Sequence, residues 1–412
     1  MNIIIQSARV MQELAELASF SSGPGPAVTR IVFTESDLCA RTWLKDLCAK
    51  AGLHIWEDAV GNTFARWIGT EPGLPAVGTG SHFDAIPNAG RFDGTVGVLG
   101  GLEAIRALQE CGFQLRRSIE LLLFTSEEPT RFGVGCLGSR VLSGTLSAEK
   151  ADRLTGQDGL TLAQVREQAG FSGDLDSVRL PSGYYNAFLE LHIEQGPILE
   201  RDGISIGLVT HIAAPASLRI DIEGEGGHAG AVLMPERRDA FLAAAELALA
   251  IERAALATGS IDTVATTGTC TVFPGAVNSI PGRVQLGVDI RDIDLECRDS
   301  VLEAVKRACE RIGFERRVSV SSEVINADPP ATCHPRLVEA LGRCCEELGQ
   351  SYRHMVSRAY HDSLFMSRIC PVALLFIPCR NGVSHRPDEF ASEQDITSGI
   401  RVLAATLAHL AA

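Results

Sequence analysis

Four segments of this 412-residue chain carry side chains that could hold a cation or move a proton. TGSHFDAIPNAGRFDG (79–94) supplies His82, Asp84 and Asp93, and ELLLFTSEEPTRFG (120–133) supplies Glu127 and Glu128. AFLELHIEQGPIL (187–199) supplies Glu190, His192 and Glu194, and LLFIPCRNGVSHRPDE (374–389) supplies His385 and Glu389. His82 and Asp84 stand two apart, the spacing that puts both on one side of an extended chain. A metal-bound imidazole commonly has its second nitrogen held by a carboxylate, which fixes the tautomer; a histidine in a plain turn is the other reading of this fragment taken alone. Asp93 precedes a helix, where it serves either as an ordinary N-cap or as a bridge between metal ions. Adjacent carboxylates at Glu127 and Glu128 repel, and the repulsion raises one pKa unless a cation intervenes. One of them binding metal while its neighbour acts as a base resolves the conflict; an exposed acidic turn is the plain alternative. Alternation puts Glu190, His192 and Glu194 on one strand face, which lines either a cavity or a wetted edge.

The elements that must position these groups follow a pattern. Helical periodicity over 6–20, 36–52 and 94–110 alternates with apolar strands at LPAVGTG and SIELLLF. Such continuous apolar strands predict an α/β domain with a mostly parallel sheet covered by helices. In sheets of that kind ligands collect beyond the carboxyl ends of the strands, and each of the four segments lies at such an end. From 211 the pattern changes to alternating strands (SLRIDIEGEGG, TVATTGTCTVF, RVQLGVDIRDI, RVSVSSEVI) with helices over 236–256 and 295–312, an α+β sandwich. After the Pro pair in NADPPATCHP, a helix over 335–348, the strand PVALLFIP and a helix over 392–410 resume the first pattern. The expected domains are 1–210 and 328–412 as two parts of one catalytic domain, with 211–327 inserted between them.

Composition narrows the function. A net charge of −14 and the lack of a basic patch argue against nucleic acid and anionic membrane as partners. No run reaches the ~20 apolar residues a membrane span requires, and the N-terminus turns amphipathic rather than resembling a secretory signal. The 12 cysteines form no CxxC pair and fit a reducing cytoplasm. Two or three imidazoles with an Asp and a Glu suit a borderline-hard divalent ion, Zn²⁺ or Mn²⁺.

The GSHxD strand end at 80–84, the DG helix start at 93–94, the EE pair at 127–128, LHIEQGP at 191–197 and the SHxP loop at 384–387 resemble the M20-type metallopeptidase superfamily in its hydantoinase/carbamoylase branch, over essentially the whole chain. The resemblance implies two divalent metal ions per subunit, with Mn²⁺ the working metal and Zn²⁺ the alternative. It assigns His82, Asp93 and His192 to one ion, Asp93, Glu128 and His385 to the other, Glu127 as general base, and Asp84 as support for His82. Within the branch, IAAPASL, GGHAGAVLMP and SRAYHDSLFM resemble the members that cleave the ureido C–N bond of ureidoglycolate, whereas relatives acting on allantoate or N-carbamoyl-L-amino acids usually have an SGAGHDA-like segment. Those relatives, and a non-catalytic binding protein, are the alternatives. The resemblance further implies a substrate lining of Gln195, His228, Asn278, Arg291, Tyr360 and His361, with His228 also catalytic and reaching the active site of the neighbouring subunit, and with 211–327 a lid and dimerisation domain of a homodimer. For Arg291 the other reading is a salt bridge to Asp289 or Asp292.

Overall fold

The computed structural model describes residues 3–412. Two compact units emerge: residues up to Thr210 with Thr332–Ser357 and His361–Ala412, and His211–Ala331 with Arg358–Tyr360.

In the first unit the strands Val372–Ile377, Tyr185–Ile193, Ala76–His82 and Ile119–Phe124 lie side by side and parallel. These are the apolar runs, and they are buried almost throughout, because helices cover parallel strands on both faces. Antiparallel strands extend the sheet: Ile206–Ile212 beside Val372–Ile377, and Thr63–Trp67 then His54–Glu57 beyond Ile119–Phe124. The helices Thr95–Glu110 and Glu393–Ala411 pack together on one face. The approach is close: a Cβ at Gly97 would come within 2.4 Å of the Leu191 carbonyl oxygen. The opposite face is filled by a core including Phe64, Leu122, Phe124, Leu137, Phe188 and Met366.

The second unit has a four-stranded antiparallel sheet in the order Val264–Phe273, Arg283–Asp292, Ala214–Glu223, Ser319–Ala327. Alternate residues Leu218, Ile220, Ile222, Val284, Leu286, Val288 and Ile290 face the helices Ala240–Ala257 and Leu295–Arg316, as strand periodicity demands. The first of these helices starts at Ala240 rather than 236, because the Asp239 carboxylate caps it by accepting from the N–H groups of Phe241 and Leu242. Among the described residues no helix is long and apolar enough to cross a membrane.

Candidate metal centre

The four parallel strands deliver their polar groups to one end of the sheet. His82 is the last residue of Ala76–His82 and His192 the penultimate residue of Tyr185–Ile193. Glu127 and Glu128 follow Ile119–Phe124 after a left-handed Ser126 at φ 54°, and His385, at φ 58°, lies in the loop beyond Val372–Ile377.

Asp93 stands at the centre. Its Oδ1 is 3.1 Å from His192 Nε2 and 3.6 Å from His82 Nε2, and its Oδ2 is 3.3 Å from His385 Nε2. Glu128 Oε1 lies 3.2 Å from the same His385 nitrogen. Two triads result, His82–Asp93–His192 and Asp93–Glu128–His385, each with ligand atoms mutually within 4.8 Å. They share Asp93, which has the geometry of a bridge and not of a cap: the helix Thr95–Glu110 is preceded by Gly94, and no side chain caps it. Only glycine suits that position, where φ is 67° and a Cβ would lie 2.4 Å from His82 Nε2.

The tautomers suit metal binding. His192 Nδ1 lies 2.9 Å from the Ile193 carbonyl oxygen, while its Nε2 accepts from Gly94 N–H at 3.1 Å. With Nδ1 held by that carbonyl, Nε2 is the nitrogen turned toward Asp93 and open to a metal ion. His82 Nδ1 faces Asp84, 3.2 Å from its carbonyl oxygen and 3.5 Å from Oδ1. Asp84 also accepts from the backbone N–H groups of Glu127 and Glu128, one at each carboxylate oxygen and both at 3.1 Å. One carboxylate thus aligns a histidine and pins the acidic pair, a second task that spacing alone does not reveal.

The electrostatics fit a cationic occupant. His82, Asp93, Glu127, Glu128 and His192 are all buried, and three carboxylates crowded out of water need opposite charge. Burial opposes ionisation of Asp93, yet the imidazoles of His192, His385 and His82 hold it well below the usual carboxylate range. Burial likewise disfavours charged His82 and His192, but nearby carboxylates outweigh it: Glu127, Asp84 and Asp93 raise His82, and Asp93 and Glu190 raise His192. Asp93 and Glu128 raise His385 to about 11. Glu127 is pushed well above the ordinary range by burial, with Glu128, Asp362 and Asp84 adding repulsion against the pull of His82. A donor set of imidazole nitrogens and carboxylate oxygens around one shared carboxylate fits two divalent ions.

Glu389, named beside His385 in the fourth segment, takes a supporting place, together with Ser384, which residue type and spacing did not single out. Glu389 Oε1 accepts from the N–H groups of Phe92 (2.7 Å) and Asp93 (3.1 Å), and Ser384 Oγ lies 2.6 Å from Asp93 Oδ2 and 3.0 Å from Glu389 Oε2. The signal lay in Gly90, whose missing Cβ leaves room for the Glu389 side chain. The expected polar face of the third segment resolves differently. Glu190 is buried and accepts from Ser81 Oγ and from Ser363 N and Oγ. Glu194 lies past the strand end and accepts from Ile198 N and Leu199 N at the start of the helix Ile198–Asp202. Glu194 does not join His192, but Glu190 does: the ligand atoms of Glu190, His192 and His361 lie mutually within 4.8 Å.

Of the expected substrate residues in the first unit, Gln195 joins the centre, its Nε2 donating to Asp93 Oδ2 at 2.8 Å. His361 is buried edge-on to His192, with ring centroids 4.6 Å apart and its Nε2 2.9 Å from Ser357 Oγ. In the second unit the Arg291 guanidinium lies 5.4 Å from the Tyr360 ring centroid and pairs with Asp289 at 2.7 Å. His228 and Asn278 meet on an exposed ribbon where Gly227–His228 pairs with Ser279–Ile280, and Ala229 N donates to the Asn278 carbonyl.

Comparison with known proteins gives the family of the whole chain. Residues 78–409 match the model of peptidase family M20/M25/M40. A ureidoglycolate hydrolase of Arabidopsis thaliana is 50% identical over 99% of this chain and 87% of its own length. The crystal structure of AtUAH in complex with glyoxylate superimposes with a TM-score of 0.94 at 50% identity, covering 99% of this chain and 98% of that one. An amidase of the hydantoinase/carbamoylase family from Burkholderia vietnamiensis gives 0.93 at 33% identity, covering 100% of this chain and 98% of the other. The pairing of a shared aspartate with three imidazoles is thus set in a chain that belongs to peptidase family M20/M25/M40, in its hydantoinase/carbamoylase branch.

Proposed function

We propose that this enzyme is a metal-dependent amidohydrolase that cleaves the ureido C–N bond of ureidoglycolate. The observation that carries the reading is the pair of triads sharing Asp93, with the Glu127 carboxylate beside them, its Oε2 3.9 Å from His82 Nε2; the half-identity to a ureidoglycolate hydrolase supports the substrate. His82, Asp93 and His192 would hold one ion, and Asp93, Glu128 and His385 the other. Mn²⁺ is the working metal and Zn²⁺ the alternative, in keeping with a donor set free of thiolate. Divalent ions bound there would lower the pKa of water and polarise the carbonyl oxygen.

Glu127 takes a proton from the attacking water and returns it to the departing ammonia. Asp84 holds Glu127 and Glu128 in place through their backbone N–H groups. Arg291 clamps the substrate carboxylate with its planar fork, and Gln195, Asn278, Tyr360 and His361 supply hydrogen bonds. His228 donates to the developing oxyanion, a contribution of about 3 kcal/mol for one such donor. Cleavage gives ammonia and an N-carboxy product; loss of carbon dioxide and of a second ammonia leaves glyoxylate.

The second unit, in this reading, acts as lid and dimerisation domain. Supporting the homodimer, Phe241, Leu249 and Leu256 on the helix Ala240–Ala257 are exposed apolar residues, and the edge strand Val264–Phe273 is largely exposed; such surfaces call for a partner. All 12 cysteines are free, in keeping with the cytoplasm.

The test is ammonia release from ureidoglycolate, allantoate and an N-carbamoyl-L-amino acid with Mn²⁺ present. Ureidoglycolate should be the preferred substrate by kcat/KM; a preference for either of the others overturns the assignment.

A further inference from the structure

We infer that Cys136 is a positioning residue for Glu127: its thiol donates to Oε1 of the carboxylate and leaves Oε2 as the oxygen that exchanges the proton with the attacking water. The inference rests on Glu127 being the base.

The two oxygens of Glu127 have different neighbours. Oε1 lies 3.4 Å from Cys136 Sγ, whereas Oε2 faces the metal centre, 3.9 Å from His82 Nε2. Cys136 is fully buried, and three successive backbone bonds tie its segment to the acidic turn: Cys136 N to Glu127 O (2.7 Å), Leu137 N to Ser126 O (2.9 Å) and Gly138 N to Thr125 O (2.8 Å). The backbone that carries the thiol is therefore fixed relative to the backbone that carries the carboxylate. Its own backbone is left-handed, with φ 53°, a region where glycine is the default. A side chain kept in such a conformation is held there by its surroundings.

Burial, then the carboxylates of Glu127 and Asp362, push the thiol well above its usual pKa, so it stays S–H and can donate. A thiol is a weak donor. It can fix the rotation of a carboxylate without drawing away the basicity that proton transfer needs. Neighbouring contacts keep the pocket rigid: Ser139 Oγ bonds Asp362 Oδ1 at 2.5 Å, on the first turn of the helix Leu137–Ser143 that follows Cys136.

The experiment uses the full-length, metal-loaded protein and ureidoglycolate. Cys136→Ala and Cys136→Gly, the latter suited to the left-handed backbone, remove the donor; Cys136→Ser keeps one. Loss of the donor should lower kcat about tenfold, with KM and metal content unchanged, and serine should restore kcat to within about threefold of wild type. A donor-free variant within twofold of wild type overturns the inference, as does failure of serine to rescue or loss of metal along with rate. The S–H stretching band provides a measurement that needs neither donor-free variant. The band that disappears in Cys136→Ser should shift in Glu127→Gln, and an unmoved band overturns the contact. A wild-type chain inactive on ureidoglycolate sinks the activity and this inference together. An active wild type, an inactive Glu127→Gln and an unaffected Cys136→Ala sink the inference alone.

Discussion

At Gly94 a single missing Cβ decides whether the centre can form. The residue has positive φ, and its neighbour across the gap is the His82 ring. Gly94→Ala should therefore displace His82 or Asp93 and lose at least one of the two ions with most of the turnover, while unfolding remains cooperative; a variant with full metal content contradicts this. Glu127→Gln makes the opposite separation. It should keep both ions and lower kcat by about 10³-fold, within the range for a general base, and a rate near wild type removes Glu127 from that role. Arg291→Lys loses the bidentate fork and should raise KM for ureidoglycolate about tenfold or more; an unchanged KM leaves Arg291 in its salt bridge to Asp289. Residue types were readable where chemistry restricts them, as at His82, Glu127 and His192. Cys136 was not: a lone thiol near a turn has no distinctive spacing, and only the folded chain shows that it touches Glu127, or that Glu389, named beside His385, bonds Phe92 N–H.

Within elements, the strands that position the site were legible because their apolar runs are long and unbroken. The stretch from 128 to 184 was not. Its helices Leu137–Ser143, Ala148–Asp152 and Leu162–Gln168 span five to seven residues, too short for a 3.6-residue period to repeat. A capping box at Thr161 and Gln164 was the readable signal for the last of them. Strand pairing also makes a stability prediction. Arg66 and Glu120 are cross-strand partners at 2.5 Å, with Glu120 fully buried and Arg66 half-buried. Burial raises the Glu120 pKa, although Arg66 and Tyr185 pull it down. Because the folded carboxyl holds its proton more tightly than the unfolded one, its ionisation costs stability as pH rises through the folded value. Arg66→Met leaves that charge uncompensated, which costs about 3–5 kcal/mol at neutral pH. The penalty should shrink as pH falls and Glu120 is protonated. Urea midpoints of wild type and variant at pH 7.5 and 4.5 check this, and a pH-independent gap contradicts it.

For the whole molecule, the site draws on residues from 82 to 385 in one unit, so its assembly reports on the fold of that unit rather than on any local motif. The change of pattern near 211 was visible because alternation replaces unbroken apolar runs. The return of Arg358–Tyr360 to the second unit was invisible, since three residues carry no periodicity. Under the proposed function, five side chains, His82, Asp93, Glu128, His192 and His385, load two divalent ions, and hydrolysis depends on both. The most direct measurement is ammonia release from ureidoglycolate by metal-stripped protein as Mn²⁺ is titrated back under tight-binding conditions. The stripped protein should show no turnover and regain full activity at two equivalents per chain. Undiminished turnover in the stripped protein, or saturation at one equivalent, contradicts this.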